Sequence, residues 1–88
     1  MSVTFKSIPE MFEKEESGKK PNTVRKIDLF DDRFEVLANQ KTKIIWIENS
    51  ETGEKFQRII NDISIWEGLM IISWYHSANV QKASEDKE

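Results

Sequence analysis

The stretch TKIIWIENSETGEKFQRIINDISIWEGLMIISWYH, residues 42–76, sets the fold class of this chain. Thr42 to Glu48, Lys55 to Ile65 and Leu69 to His76 are runs rich in β-branched and aromatic residues, the composition of strands. Asn49-Ser50-Glu51-Thr52-Gly53 separates the first pair, and Glu67-Gly68 separates the second as a two-residue hairpin turn. Three strands joined this way predict an antiparallel meander. Ile44-Ile45-Trp46-Ile47 and Met70-Ile71-Ile72 carry apolar residues at consecutive positions, so these strands are expected to be central and covered on both faces.

Upstream, the periodicity changes. Val3 to Phe5 reads as a short first strand, and Ser7 with Glu10 three residues on reads as a capping box opening a helix that tolerates Pro9 in its first turn. Ile8, Met11, Phe12 and the stem of Glu15 fall on one helical face, and Ser17-Gly18 ends the helix, glycine suiting the left-handed cap. Pro21 forces the chain to extend, and Thr23 to Ile27 reads as a strand. Asp31 or Asp32 caps a second short helix running through Phe34 and Leu37 to near Asn39. Residues 77–88 have no apolar periodicity beyond Val80 and read as a disordered tail. The expectation is an α+β chain, one domain over residues 1–76, with two short helices and a curved, barrel-like antiparallel sheet.

Composition bounds the function. The 88 residues suffice for one core, which at this size buries roughly 60–65% of the unfolded surface. Without cysteine there is no disulfide or thiolate site, and with one histidine and scattered acids there is no zinc ligand set; no metal and no cofactor is expected. No apolar run approaches the roughly 18 residues of a membrane span, and no signal peptide is evident. The expected location is the cytoplasm. A net charge of −3 argues against indiscriminate nucleic-acid binding.

One segment departs from that balance. Residues 17–26, Ser-Gly-Lys-Lys-Pro-Asn-Thr-Val-Arg-Lys, hold four cations and no acid. Strand alternation puts the Thr23 hydroxyl and the Arg25 guanidinium on one face, about 7 Å apart along the backbone. Arg25 offers a planar fork for phosphate, Lys20 a mobile charge and Thr23 a hydroxyl. Lys19 and Lys26 read as solvated charges. The competing account pairs Arg25 with Asp28, Asp31 or Asp32 in a structural salt bridge. Trp46 faces with Ile44, Trp74 with Met70 and Ile72, and Trp66 beside the hairpin turn is the tryptophan expected to be exposed. An exposed tryptophan could stack on a base; a buried one belongs to the core.

The pattern Gly18-x-Lys20-x-x-Thr23-x-Arg25, after a helix and opening a strand, resembles the signature of ASCH domains, members of the PUA-like superfamily of small β-barrels. Those domains commonly carry Gly-x-Lys-x-x-Glu-x-Arg, and a subset have threonine in place of the glutamate. Ile8-Pro9-Glu10-Met11-Phe12 is similar to the first helix of the family, and Thr52-Gly53-Glu54-Lys55-Phe56-Gln57-Arg58 to the start of a mid-barrel strand. Ala38-Asn39-Gln40-Lys41 stands where the family has a Gly-Asp pair. The resemblance implies recognition of RNA or a nucleotide-sized anion by Lys20, Thr23 and Arg25, with Arg58 as a fourth contact. It also implies, if the site is catalytic, an amide hydrolase acting on a small nucleoside-like substrate through Lys20 and Thr23, with a carboxylate that neither Glu54 nor Glu67 clearly supplies. The alternative is a protein-binding accessory module of a phage or prophage, read from the small size, acidic balance and the Ile, Lys, Asn and Glu usage of an AT-rich genome. A homodimer through a sheet edge is compatible with both.

Overall fold

The computed structural model describes residues 2–75. The tail expected over 77–88, and His76 at the end of the last run, lie outside the described residues. Seven elements follow in order: β1 (Ser2–Ser7), α1 (Pro9–Ser17), β2 (Asn22–Lys26), α2 (Asp32–Ala38), β3 (Ile44–Asn49), β4 (Lys55–Trp66) and β5 (Leu69–Trp74). They form one α+β unit in which a five-stranded sheet, ordered β1-β3-β4-β5-β2, curls into a half-barrel with two helices.

The meander β3–β4–β5 is antiparallel throughout, as its turns require. Glu67 and Gly68 both take positive φ, 49° and 78°, the geometry of a two-residue turn whose twist matches the strands it joins. At the other turn Gly53 has φ 79°, and the Asn49 side chain accepts from the backbone N–H groups of Glu51 (2.9 Å) and Thr52 (3.3 Å).

Three expectations need correction. β1 pairs with β3 in parallel, so the sheet is mixed; two helices and β2 intervene before the chain returns in the same direction. β3 and β5 lie inside the sheet, but only one face is buried. Ile45, Ile47, Met70, Ile72 and Trp74 point into the core, while Ile44, Trp46 and Ile71 stay half-buried on the outer face. Ser7 does not cap α1. It is the last residue of β1, buried, and Ile8 occupies the N-cap without a side-chain bond.

β4 makes the bend. Its first half pairs with β3 and its second with β5, and Asn61 is inserted as a bulge between Ile60 and Asp62. The insertion shifts the inward phase from Phe56 and Ile60 to Ile63, which pairs with Ile72; Ile65 follows on the same face opposite Met70 but lies beyond the core and is exposed. Phe12 of α1 meets Phe56 edge-on at 5.3 Å, and Phe34 of α2 tilts against Phe5 at 5.6 Å, so both helices join one core. α2 begins as expected: Asp31 is the N-cap and accepts from the Arg33 N–H at 3.0 Å. Among the described residues no helix is long and apolar enough to cross a membrane.

Candidate functional site

A half-barrel has two free edges, here β1 and β2, and the basic segment lies along the seam between them. Its placement begins at Gly18, which caps α1 at φ 93° and turns the chain back so that the Lys20 N–H donates to the Lys14 carbonyl at 3.0 Å. Pro21 then starts the run into β2, where the Pro21 carbonyl accepts from the Trp74 N–H. Register does the rest. Thr23 lies opposite Ile72 and Arg25 opposite Met70, which places both side chains on the inner face.

There Arg25 uses its whole fork. Its Nε donates to Thr23 Oγ1 (2.9 Å), one terminal nitrogen to the Lys6 carbonyl (2.8 Å), and the other to Ser7 Oγ (2.9 Å). The competing salt bridge to Asp28, Asp31 or Asp32 is therefore not the arrangement adopted: Asp31 pairs with Arg33, and the Asp28 carboxylate accepts from the Phe30 N–H. Ser7 Oγ passes the chain on, donating to Glu15 Oε1 at 2.8 Å. Glu15 Oε2 faces Lys20 Nζ at 3.5 Å, and Lys20 also donates to the Asn22 carbonyl at 2.9 Å. Lys20, Glu15, Ser7, Arg25 and Thr23 thus form one continuous polar network.

Glu15 is the member the sequence reading missed. Its whole side chain is buried, at 1% residue exposure, and not only its stem. The signal was available: an acid three residues after buried Phe12, on the face that docks, must find partners or lose its charge. It supplies a carboxylate beside Lys20 from α1, whereas Glu54 and Glu67 belong to the turns of the meander.

The network lines a cleft of about 330 Å³ whose polar walls are Lys6, Ser7, Glu15, Lys20, Thr23 and Arg25. A second cleft of about 560 Å³ continues from it, sharing Lys6 and Arg25 and adding Arg33 and Glu48. Arg33 donates to the Thr4 carbonyl and, with Arg25, flanks the Phe5 ring; the guanidinium carbons lie 4.1 and 5.0 Å from its centroid. Burial lowers the Arg25 pKa, Glu15 opposes that shift, and the nearby Arg33 charge adds to it. Like charges held this close in partial burial are a setting in which an incoming anion relieves repulsion.

The remaining candidates fall elsewhere. Arg58 packs over the Phe56 ring at 4.5 Å and donates to the Glu16 (3.0 Å) and Gln57 (2.8 Å) carbonyls under the end of α1; it does not line the cleft. Lys19 and Lys26 are exposed. Trp74 is core, and Trp66 is 62% exposed at the hairpin, away from the seam residues. Thr23, 2% exposed, is held by Arg25, while Lys20 turns to Glu15 and the Asn22 carbonyl. Among the described residues no group of three or more His, Cys, Asp or Glu could hold a metal ion. No protein-family model, curated protein or solved structure matches this chain.

Proposed function

We infer that the seam between β1 and β2 binds the phosphate of a nucleotide-sized ligand, either a free nucleotide or a nucleotide unit of RNA. One observation carries the reading. Lys6, Lys20, Arg25 and Arg33 line two adjoining clefts against only Glu15 and Glu48, on a chain whose net charge is −3. Concentrating cations along one groove of an acidic body favours a specific anion over general polyanion attraction. The smaller cleft lies at the lower end of the few hundred Å³ typical of small-ligand sites. Lys20 has donated two hydrogen bonds and keeps one N–H, and the two terminal nitrogens of Arg25 each keep one, so donors remain for phosphate oxygens. The likeness of Gly18-x-Lys20-x-x-Thr23-x-Arg25 to the ASCH signature supports the same ligand class.

The test titrates wild type and Lys6→Gln/Lys20→Gln with adenosine monophosphate, adenosine and a short single-stranded oligoribonucleotide. Lys6 is exposed, whereas Lys20 is half-buried against Glu15, so circular dichroism must show that the double variant keeps its fold at the titration temperature. The reading expects saturable binding of the monophosphate, weaker binding of adenosine, and a loss of about tenfold or more in the double variant. Affinity for the oligonucleotide that falls steeply with salt, while the monophosphate binds poorly, assigns the site to RNA. Equal binding of adenosine and its monophosphate, or no effect of the double variant, contradicts it.

A further inference from the structure

The opposite chemistry occupies another part of the molecule. The connection from β2 to α2 exposes Leu29 (91%) and Phe30 (97%), and the facing β4–β5 hairpin exposes Ile65 and, on its outer side, Trp66. This exposure is built in. The Phe30 N–H donates to the Asp28 carboxylate at 2.9 Å, the Asp31 N–H donates to the Asp28 carbonyl at 3.0 Å, and Asp31 caps α2. The Ile27 N–H then fastens the connection to the hairpin through the Gly68 carbonyl at 2.9 Å. A closed turn bonded at both ends holds two large apolar side chains outward.

Between α2 and the hairpin lies a cleft of about 300 Å³ with the buried residues Phe34 and Met70 in its floor. Every charged residue lining it is acidic: Asp28, Asp31, Asp32 and Glu35. Arg33 engages Asp31, which leaves three carboxylates facing outward around the apolar surface. Large exposed apolar groups beside a polar rim mark an interaction surface.

We propose that this acidic-rimmed apolar end docks a protein segment that carries lysine or arginine beside apolar side chains. Charge selects the occupant. Nucleic acid and anionic membrane would meet the rim as like charges, and a second copy packed across a two-fold axis would set rim against rim. A basic amphipathic segment instead places its apolar face on Leu29, Phe30 and Ile65 and its cations among Asp28, Asp32 and Glu35. This surface is independent of the seam clefts and stands whether or not they bind a nucleotide.

The probe is a synthetic peptide of lysine and leucine at helical amphipathic spacing, with a glutamate-for-lysine counterpart as control, titrated against the isotope-labelled full chain. Expected are amide shifts confined to residues 27–35 and 65–69, and no binding of the glutamate peptide. Leu29→Ser/Phe30→Ser should weaken the dissociation constant about tenfold, and Asp28→Asn/Asp32→Asn similarly. Glu10→Gln/Glu13→Gln on α1, an equal change of charge, should leave it unchanged. Equal weakening by both charge pairs would mean unspecific attraction and overturn the proposal. So would shifts centred elsewhere, or a dimer in sedimentation that the Phe30 change dissociates, which would make the occupant a second copy.

Discussion

Arg25 on β2 donates to the Ser7 hydroxyl on β1 at 2.9 Å, a bond between the two edge strands of the sheet, which are not paired with each other. With the Lys6 carbonyl as a further acceptor, one guanidinium bridges the seam and at the same time floors the cleft. On the proposed reading, fold closure and ligand recognition therefore share a residue.

Arg25→Lys tests that sharing. A lysine keeps the charge but has no planar fork to meet Thr23, Lys6 and Ser7 together. The buried Thr23 and Ser7 hydroxyls lose a donor, and the expected cost is about 1–3 kcal/mol. Urea unfolding should show a lower midpoint at unchanged slope. An unchanged midpoint would mean the bridge does not hold the seam.

Glu15→Ala removes the carboxylate that links Lys20 to Ser7. Breaking a fully buried ion pair costs about 3–5 kcal/mol, and because Lys20 is partly solvated the expected loss here is about 2–3 kcal/mol. Lys20→Ala leaves the buried Glu15 carboxylate without its cation and should cost a comparable amount, and the double variant should cost less than the sum of the two. Additive losses in denaturant unfolding would show that the two side chains do not act as a unit.

Asp31 predicts a pH effect. Its hydrogen bonds with Arg33 hold its pKa below the ordinary carboxylate value. A depressed folded-state pKa stabilises above the unfolded value of about 3.9, and that contribution is lost as pH falls through the folded pKa. Asp31→Asn keeps the cap but removes the charge, so its deficit relative to wild type should be present at pH 7 and vanish in strong acid. Asp31→Ala loses the cap as well, about 1 kcal/mol more at pH 7. A deficit of Asp31→Asn that does not change with pH would contradict the assignment.

Glu67→Asn should stabilise. Glu67 sits at φ 49°, a left-handed conformation that asparagine tolerates better, and the change would place Asn before Gly68 in a turn that prefers that pair. The expected gain is about 0.5–1 kcal/mol, read as a raised thermal midpoint. A lowered midpoint would mean that the Glu67 side chain stabilises the turn in a way its backbone does not reveal.

Local chemistry made much of this legible in sequence. Gly18 and Glu67-Gly68 act through their own backbones and Asp31 through a carboxylate that reaches the N–H two residues on, and each appears where its residue type requires. Alternation alone placed Thr23 and Arg25 on one face. The parallel pairing of β1 with β3 was not legible, because strand direction is settled by a return path through two helices and not by any residue in Ser2–Ser7. Ser7 misled for a physical reason: the residue pattern that caps a helix is also met by a strand-end serine whose hydroxyl serves a buried carboxylate. Glu15 was hidden because its partners, Ser7, Lys20 and, through Ser7, Arg25, come from three different segments.

The most direct measurement of the central claim is an amide-shift titration of the labelled chain with adenosine monophosphate at low salt. The account predicts saturable shifts clustered at Lys6, Ser7 and Lys20 to Arg25, lost in Lys6→Gln/Lys20→Gln while the spectrum stays folded. Shifts that are scattered, unchanged in that variant, or absent with both the monophosphate and the short oligoribonucleotide would contradict a phosphate site at the seam.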